Sequence, residues 1–538
     1  MKKTKYIFVV GGVMSGVGKG VAAASLGKIL QSRGLETTAM KIDPYVNVDA
    51  GTMNPIEHGE VFVLEDGTEC DQDLGNYERF LGRYLSTKNY MTTGSVYQTV
   101  INRERNLGYK GKCVEVVPHI PLEVIDRIEQ AAKEDTADVV VTEVGGTVGE
   151  YQNILFLEAI RMLKLKRPGD VLLVLVSYLP FQGKDFELKT KPTQYAVRSL
   201  NGTGLQPDIV IARATVPLDQ ARKKKIAFNC GIQEEDVISA PDIESIYDVP
   251  VNFEKDKISD RILKKLHISS QKRDLKEFTK LAHSVKKIDK TVTIGIVGKY
   301  FGSGSFVLAD SYISVIEAVK HASYAVKRKP IIRWIDAEKF ESLSEYDGII
   351  VPGGFGSRGI EGKIKAITEA RNAKIPYLGL CYGMQLAVVE LSRSLLGFSD
   401  ANTTEVNPKT KHPVVDILPE QQKHLTTENY GGTMRLGAYP AVIKGKTQAY
   451  AAYKQEIISE RHRHRYEVNP DYIKMLEEKN VIFSGSSPDG RLMEIVELPK
   501  SEHPFFVGTQ FHPEFKSRPL SPHPLFTAFI KAVVARKK

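Results

Sequence analysis

The chain has 538 residues, of which 42% are hydrophobic and 26% charged, with a formal net charge of +9. This length exceeds what one core usually supports, so two or three domains are expected. Apolar runs such as Val171–Val176 are too short to cross a bilayer, and no secretory core or cleavage site follows the first residues, so we expect no membrane association. Four cysteines without a C-x-x-C pair argue against a disulfide framework or zinc site and favour a soluble, cytoplasmic protein.

The positive charge fits either a solvated, lysine-rich surface or an anionic ligand. Several lysines fall within loops that also carry glycine or threonine, namely Lys19, Lys41, Lys189 and Lys191. No zinc-finger or RNA-recognition signature is present, so we expect no nucleic-acid partner. Phosphate groups on small ligands are therefore the favoured partners.

The first part of the chain alternates strand patterns with helix-length segments. The predicted strands are β-branched and apolar on both faces: Tyr6–Val10, Asp138–Val144, Val171–Ser177 and Asp208–Ala212. Strands that are apolar on both faces and separated by helices predict a buried parallel sheet.

A glycine-rich loop, Gly11–Gly20, follows the first strand and leads into a helical pattern at Val21–Arg33. Strand, glycine loop and helix together predict a phosphate cradle, with Lys19 reaching the outer phosphates. The strict G-x-x-x-x-G-K-[ST] pattern is not met, because Val13 occupies the first glycine position and Gly20 the hydroxyl position. A flexible strand-to-helix turn is the alternative interpretation.

The missing hydroxyl group bears on magnesium, which that group usually helps to bind. Asp73 and Glu143 are the predicted substitutes, since Mg²⁺ prefers carboxylates together with phosphate oxygens. Glu143 ends an apolar strand, and an acid at the carboxyl end of a parallel strand faces the ligand crevice. Either acid alone could be a helix cap or a surface charge.

A polar, charged segment around residues 268–290 predicts an interdomain connector. A second α/β pattern begins at Val292, with strands at Gly348–Pro352, Tyr377–Leu380 and Phe505–Phe511. We therefore predict an α/β protein with two doubly wound domains in series. The predicted bounds are residues 1–266 for the first domain, 267–290 for a linker and 291–538 for the second domain.

A candidate nucleophile, Cys381, lies between a strand and a helical pattern in a G-x-C-x-G sequence. This is the nucleophile-elbow arrangement with cysteine in place of serine. His512 is the predicted base and Glu514 the group that orients it; a structural histidine is the alternative. The glycines of Pro352–Gly356 are candidates for an oxyanion hole.

These residues together resemble the class I glutamine amidotransferases of the Cys–His–Glu type. Longer motifs resemble the CTP synthase family over nearly the whole chain: Gly11–Gly20, Lys41–Tyr45, Gly51–Met53, His58–Val61, Glu143–Gly149, Lys189–Gln194, Gly431–Gly437 and Arg461–Val468.

The resemblance implies ATP-dependent amination of UTP to CTP through a 4-phosphorylated UTP intermediate, with Mg²⁺ as cofactor. Ammonia would be released from glutamine and would travel through an internal passage near His58. The resemblance further implies GTP activation through Arg358 and a lid that includes Gly431–Gly437, inhibition by CTP, and a homotetramer.

The resemblance also implies binding residues. ATP would contact Ser15, Gly16, Val17, Gly18, Lys19, Gly20, Lys41, Asp73, Asp242 and Ile243. UTP and CTP would contact Ser15, Glu150, Tyr151, Gln152, Lys189, Thr190, Lys191, Pro192, Thr193, Gln194 and Lys225. Glutamine would contact Gly354, Tyr382, Gly383, Met384, Gln385, Glu405 and Arg465. Asp73 and Glu143 would bind the metal.

The sequence departs from the family pattern in two loops. Gln152 stands where the family usually has a carboxylate, which predicts an altered affinity for UTP or CTP, because a neutral amide accepts a hydrogen bond more weakly than an ionised group. Met14 and Gly16 replace smaller or hydroxyl-bearing residues in the phosphate loop.

Two other functions would also use a phosphate loop. An ATP-dependent amidotransferase acting on a carboxylate would lack the cationic pocket predicted at Lys189–Gln194 and Lys225. A partitioning-type ATPase with an inert second domain would not need Cys381, His512 and Glu514 together.

Overall fold

The computed structural model describes residues 3–182, 187–270, 272–298, 309–418, 421 and 431–537. These residues form two compact units that interleave along the chain. The first unit contains residues 1–50 and 73–283, and the second contains residues 51–72 and 284–538.

The first unit is built on a seven-stranded parallel sheet, which confirms the predicted α/β class. The strands, in spatial order, are Val237–Pro241, Ile209–Ala214, Val171–Tyr178, Lys5–Gly11, Val139–Val144, Thr37–Asp43 and Tyr90–Thr92. The chain leaves the central Lys5–Gly11 strand in both directions, so right-handed crossovers place helices on both faces. Nearly all of the strand residues are buried, as their apolar sequences require.

Helices connect these strands and cover the sheet. Their bounds are Lys19–Ser32, Gln72–Leu81, Thr93–Arg105, Val116–Glu134, Ile154–Lys166, Lys191–Gly202, Gln220–Cys230, Val249–Phe253, Ile258–Lys265 and Lys276–Lys286. A two-stranded ladder pairs Phe181–Gln182 with Glu187–Leu188. Leu26 and Ile29 of the first helix are fully buried, so its packing rather than its termini stabilises it.

The second unit is built on a nine-stranded mixed sheet. Its strands, in spatial order, are Lys329–Asp336, Thr291–Gly298, Gly348–Val351, Tyr377–Leu380, Phe506–Thr509, Met493–Glu497, Ile482–Ser486, Arg435–Ile443 and Ile457–His464. The first five are parallel, and the remaining ladders are antiparallel. The predicted strands at 348, 377 and 505 are therefore confirmed within one to two residues at each end.

Smaller elements complete the second unit. Its helices are Pro55–His58, Ile313–Ala325, Ile360–Asn372, Tyr382–Leu395, Gln448–Tyr453, Ile473–Glu477 and Pro524–Arg536. A three-stranded sheet joins Asn402–Thr403, Pro413–Ile417 and Tyr466–Val468, and a hairpin joins Val61–Val63 to Glu69–Asp71.

The division into units differs from the predicted linear one in two places. Residues 51–72, called the strap below, belong to the second unit although they lie within the predicted first domain. Two arginines of the Ile457–His464 strand explain this, because Arg461 Nε lies 2.7 Å from Glu65 and Arg463 Nε lies 2.8 Å from Glu69. The predicted connector also contains a helix, Lys276–Lys286, whose Phe278 is buried.

The four cysteines are unpaired: Cys113 is exposed, and Cys70, Cys230 and Cys381 are buried. Among the described helices, none combines the length and the apolar character that crossing a bilayer demands. The cytoplasmic location stays a prediction.

Candidate active sites

The phosphate loop lies between the Lys5–Gly11 strand and the Lys19–Ser32 helix, as predicted. Gly16 and Gly18 adopt φ values of 68° and 86°, which only glycine reaches without strain, and Val13 is held at 79°. Lys19 Nζ donates a hydrogen bond of 2.8 Å to the carbonyl of Gly146. Burial lowers the pKa of Lys19. The loop therefore holds a desolvated cation at the start of a helix, where backbone N–H groups also point outwards.

Gly20 lies directly against Asp73. A Cβ atom at residue 20 would lie 1.8 Å from Asp73 Oδ1, so a side chain there would require the Asp73 carboxylate to move. The space that a Ser or Thr hydroxyl would fill in the usual motif is taken by a carboxylate. This supports the prediction that an acid substitutes for the missing hydroxyl.

Lys41 joins the two predicted metal ligands. Its Nζ lies 2.6 Å from Asp73 Oδ2 and 3.0 Å from Glu143 Oε1. Lys41 and Glu143 are register partners on adjacent strands, so the sheet itself brings them together. Tyr77 donates a hydrogen bond to the second oxygen of Glu143.

The two acids differ in how their charge is held. Burial and the neighbouring Asp73 raise the pKa of Glu143. Burial alone would raise the pKa of Asp73 too, but Lys41 holds that pKa below its ordinary value. Two carboxylates that meet around a single ammonium group form a donor set that suits a hard divalent cation.

A cavity of about 200 Å³ opens beside the first helix. Val21, Ile211 and Phe253 supply apolar walls, and the predicted adenine-contact residues Asp242 and Ile243 line the cavity as well. An apolar cavity one turn from a phosphate loop is suited to the base of a nucleotide.

The predicted pyrimidine-nucleotide residues are less enclosed. Lys189 pairs with Glu187 at 2.6 Å, and Lys225 is exposed. Lys189 foremost, and Lys225 to a lesser extent, lower the pKa of Glu187. Tyr151 is 92% exposed and Gln152 is also exposed.

The Lys191–Gly202 helix begins within the same predicted group. Thr193 is fully buried and its hydroxyl group lies 2.8 Å from that of Ser177, while Gln194 donates to the hydroxyl of Thr190. These contacts fix the start of the helix beside the Val171–Tyr178 strand.

Cys381 occupies a strained turn between the Tyr377–Leu380 strand and the Tyr382–Leu395 helix. Its φ of 50° and ψ of −100° are unusual for a residue with a side chain, which is what a nucleophile elbow imposes. The flanking glycines permit the turn: a Cβ at Gly383 would lie 2.0 Å from the carbonyl oxygen of Val351, and one at Gly379 would lie 2.6 Å from the Tyr377 hydroxyl. The G-x-C-x-G spacing is thus a steric requirement.

His512 and Glu514 follow the neighbouring parallel strand, Phe506–Thr509. His512 Nδ1 lies 2.7 Å from Glu514 Oε1, and the His512 ring stacks on Phe515 with a centroid distance of 4.9 Å. Burial alone would lower the pKa of His512, but Glu514 and Cys381 raise it to about 10. A protonated imidazole is therefore the favoured charge state of His512 at neutral pH.

Gly353 lies beside both the nucleophile and the base. A Cβ there would lie 2.8 Å from His512 Cε1 and 3.8 Å from Cys381 Cβ, so only glycine lets the backbone approach both. His512 Nε2 is buried and makes no hydrogen bond to another polar atom among the described residues. The arrangement leaves room beside the sulfur for a substrate amide.

A cavity of about 80 Å³ reaches the sulfur. Cys381, His512 and Gly354 line one part of it, and Pro55 and Val61 of the strap line another. The strap therefore forms part of the wall of the thiol site.

Two of the predicted glutamine-binding residues contact the same glycine, Gly356. Glu405 accepts a hydrogen bond of 2.7 Å from the backbone N–H of Gly356, and the Tyr382 hydroxyl donates to the Gly356 carbonyl. Arg465 donates to Gln421 at 2.7 Å and to Thr433 at 2.9 Å. The opposite charges of Glu405 and Arg465 match those of the two charged groups of an amino acid.

Gln385 and Met384 are turned inwards. Gln385 Nε2 donates to the Tyr466 carbonyl at 2.9 Å, and Met384 is fully buried. Their contribution to a ligand would come through backbone groups or through positioning of neighbours.

Sequence reasoning missed two residues that touch the reacting groups. Tyr77 lies one helical turn after Asp73, so the i, i+4 spacing was an available signal. Gln510 donates a hydrogen bond of 3.7 Å to Cys381 Sγ, and its place two residues before His512 was the available signal.

Known protein families match both halves of the chain. A family model described as CTP synthase N-terminus matches residues 5–268, and one described as glutamine amidotransferase class-I matches residues 307–532. The chain is 50% identical over 540 residues to the CTP synthase of Caldanaerobacter subterraneus subsp. tengcongensis. It is 51% identical over 542 residues to the CTP synthase of Carboxydothermus hydrogenoformans, and each alignment covers 99% of both chains. The solved glutaminase domain of Trypanosoma brucei CTPS with bound acivicin is 38% identical over 46% of this chain and 94% of that one, with a TM-score of 0.41.

Proposed function

The chain belongs to the CTP synthase family, and on that premise we propose how its two sites perform the ATP-dependent amination of UTP to CTP with ammonia from glutamine. The presence of both sites in one chain supports this proposal. A phosphate loop with buried acids occupies one unit, and a cysteine with a buried His–Glu pair occupies the other.

The first unit activates the pyrimidine. Oxygen at C4 of uracil is a poor leaving group, so O4 attacks the γ-phosphorus of ATP and ADP departs. Lys19 holds the transferred phosphate and Lys41 offsets its charge, since both ammonium groups lie near the carboxyl ends of parallel strands. The base of ATP occupies the cavity lined by Asp242 and Ile243. Ammonia then attacks C4, phosphate leaves, and loss of a proton gives CTP.

Asp73 and Glu143 would hold Mg²⁺ in this unit. Their carboxylates lie within 3.0 Å of one ammonium group, and Gly20 places no side chain against Asp73. Bound Mg²⁺ would neutralise phosphate charge.

UTP occupies the cationic surface at Lys189–Gln194 and Lys225, with Glu150, Tyr151 and Gln152 at its other end. The exposure of Tyr151 in one chain supports a binding surface completed by another subunit, in keeping with a homotetramer.

The second unit releases ammonia. The Cys381 thiolate attacks the side-chain amide carbon of glutamine, and backbone N–H groups near Gly354 stabilise the oxyanion. The protonated His512 then gives its proton to the departing nitrogen, which leaves as NH₃ and a thioester remains. Water hydrolyses the thioester with His512 as base, and Glu514 keeps the imidazole oriented throughout.

Glu405 and Arg465 hold the amino and carboxylate groups of glutamine. Each already makes hydrogen bonds to backbone or side-chain groups that fix its position.

Ammonia must reach the pyrimidine without becoming ammonium, which would have no lone pair for attack. The cavity at Cys381 is lined by Pro55 and Val61, which flank His58 in the strap. This supports a passage that starts near His58 and excludes bulk water.

GTP would activate the enzyme through Arg358, which is exposed and pairs loosely with Glu338 at 3.3 Å, and through the lid around Gly431–Gly437. Gly437 approaches the strap closely, because a Cβ there would lie 2.6 Å from the Gly67 nitrogen. CTP would inhibit as a product at the pyrimidine surface.

Cys381→Ala tests the proposal. The variant should lose glutamine-dependent CTP formation while ammonia-dependent formation continues, because only the ammonia supply is removed. Both activities are followed by CTP absorbance. Loss of both, or survival of the glutamine-dependent activity, would contradict the assigned role of the thiol.

A further inference from the structure

Gln510 is a buried polar residue that the mechanism above does not use. Its side chain is completely inaccessible to solvent, and it lies between the Phe506–Thr509 strand and His512. Its backbone N–H donates to the Glu494 carbonyl at 2.9 Å, which fixes the main chain at this point. A buried primary amide is costly unless its donors and acceptor are used, so its partners indicate its role.

The orientation of the Gln510 amide follows from its neighbours. Gln385 Nε2 donates to the Tyr466 carbonyl at 2.9 Å, which identifies that atom as the nitrogen. The same nitrogen lies 3.4 Å from the oxygen of the Gln510 side chain. Since a donor faces that oxygen, the nitrogen of Gln510 must lie on the other side.

That nitrogen faces the nucleophile. Gln510 Nε2 lies 3.7 Å from Cys381 Sγ, an ordinary distance for a hydrogen bond to sulfur. Among the residues that the structure describes, the Cys381 sulfur is the hydrogen-bond acceptor for the Gln510 side-chain nitrogen. We propose that Gln510 is a catalytic residue whose side-chain amide donates a hydrogen bond to the Cys381 thiolate and holds the sulfur ready for attack on glutamine.

The surroundings of the sulfur suit two protonation states. As a thiol, Cys381 donates to the carbonyl oxygen of Arg463 at 3.8 Å. As a thiolate it can only accept, and Gln510 Nε2 is a donor that faces it. Hydrogen bonds to the charged form of a group favour that form, so the Gln510 amide stabilises the reactive state.

The role of Gln385 follows from this geometry. Its side chain is 2% exposed and holds the Gln510 oxygen, so it orients the amide that contacts the sulfur. Gln385 is thereby a positioning residue for Gln510, which adds to the glutamine contact predicted for it from the sequence.

The test measures the reactivity of the sulfur directly. Iodoacetamide alkylation of Cys381 is followed against pH in a Cys113→Ser background, which removes the one exposed cysteine. Gln510→Met removes the donor and keeps the length of the side chain. Gln510→Glu keeps the shape and replaces the donor by an acceptor, so the test stays open if Gln510→Met does not fold.

We expect the apparent pKa for alkylation to rise by about one unit in both variants, which slows alkylation about tenfold below that pKa. Glutaminase kcat should fall about tenfold while KM for glutamine changes much less, because the contact is with the nucleophile. Thr509→Val is the matched control: its hydroxyl group is equally buried but donates to the Phe511 carbonyl, so the alkylation profile should match that of the wild type.

The inference rests on the proposed function, and the experiment distinguishes failure of the inference from failure of the proposed function. Folded Gln510 variants whose alkylation profiles coincide with that of the wild type would overturn the role of Gln510 alone. A wild-type Cys381 that reacts as an ordinary exposed thiol would overturn the proposed nucleophile as well.

Discussion

The phosphate site and the thiol site both lie at the carboxyl ends of parallel strands, yet they hold their charges in opposite ways. In the phosphate site one ammonium group, Lys41, is shared by two acids from separate segments, Asp73 and Glu143. In the thiol site a cation and its carboxylate, His512 and Glu514, are two residues apart and pair with each other. The first arrangement can exchange its partners when phosphate and metal arrive, whereas the second is complete before substrate binds.

Because of this difference, substitutions in the two sites should have different consequences. A shared cation must be released or rearranged as ligands bind, so substitutions there should affect binding of several ligands together. The ion pair between His512 and Glu514 controls whether the imidazole beside the nucleophile is protonated. Substitutions there should therefore affect the pH dependence of one chemical step.

The largest effect is expected from Lys19→Ala. Loss of the buried ammonium group in the phosphate loop should lower CTP formation by on the order of a hundredfold or more, with glutamine or with ammonia as nitrogen source. The measurement is CTP formation with each source, and basal glutaminase activity should persist. Lys28→Ala, on the same helix but packed over the Phe278 ring, is the control and should remain active. Ammonia-dependent activity that survived Lys19→Ala would remove Lys19 from the phosphate site.

Glu514→Gln tests the internal ion pair. Glu514 helps to raise the pKa of His512 to about 10, so the wild-type imidazole stays protonated until the pH approaches that value. Without the carboxylate the pKa falls, and the alkaline loss of glutaminase activity should move to lower pH by about one unit or more. At neutral pH we expect a decrease of about tenfold to a hundredfold.

The control for that experiment is Glu497→Gln, a buried acid that accepts backbone hydrogen bonds from Gln448 and Ala449. Its pH profile should match that of the wild type, and ammonia-dependent synthesis should be intact in both variants. If Glu514→Gln loses glutaminase activity at the same alkaline pH as the wild type, another group controls the proton on His512.

Gly20→Ser sharpens the contrast because it restores the usual hydroxyl of the phosphate-loop motif. A side chain at residue 20 collides with Asp73, so we expect weaker ATP binding by about tenfold rather than an improvement. The measurement is the KM for ATP at saturating Mg²⁺. Gly202→Ala, at a helical glycine with open space around it, is the control. An unchanged or lower KM would show that Asp73 can move away without cost.

The smallest effect is expected from Gln152→Glu. An ionised acceptor forms a stronger hydrogen bond to a ribose hydroxyl than an amide does, so affinity for UTP or CTP should change by about threefold to tenfold. The measurement is the KM for UTP together with inhibition by CTP. If both stay constant, Gln152 lies outside the pyrimidine site.

The turn at Cys381 and the contact between His512 and Glu514 could be read from the sequence because both depend on neighbouring residues. Cys381 is flanked by the glycines that its turn needs, and His512 and Glu514 are separated by one residue, so a short motif carries the geometry. The strand, glycine loop and helix around Lys19 are local in the same way. The contact between Gly20 and Asp73 was beyond reach, because it depends on how distant segments pack.

The strap shows the other limit of sequence-based prediction. Residues 51–72 lie within a continuous α/β pattern, and no change of composition marks them. Their place in the second unit depends on Glu65 and Glu69 pairing with Arg461 and Arg463, which lie some 400 positions further along the chain. Alternation along the Ile457–His464 strand points these arginines one way and His462 and His464 the other. Without the partner segment, that alternation could not be assigned to a surface.

The central claim is that a sulfur nucleophile in one unit supplies nitrogen to a pyrimidine activated by phosphate in the other. Its most direct test compares CTP formation by the wild-type chain from UTP, ATP and Mg²⁺ with either glutamine or ammonia as nitrogen source. We expect CTP from both nitrogen sources, with one ATP hydrolysed for each CTP formed. With glutamine as the source, one glutamine should also be hydrolysed for each CTP. ATP or glutamine hydrolysis that continues without any CTP from either source would contradict it.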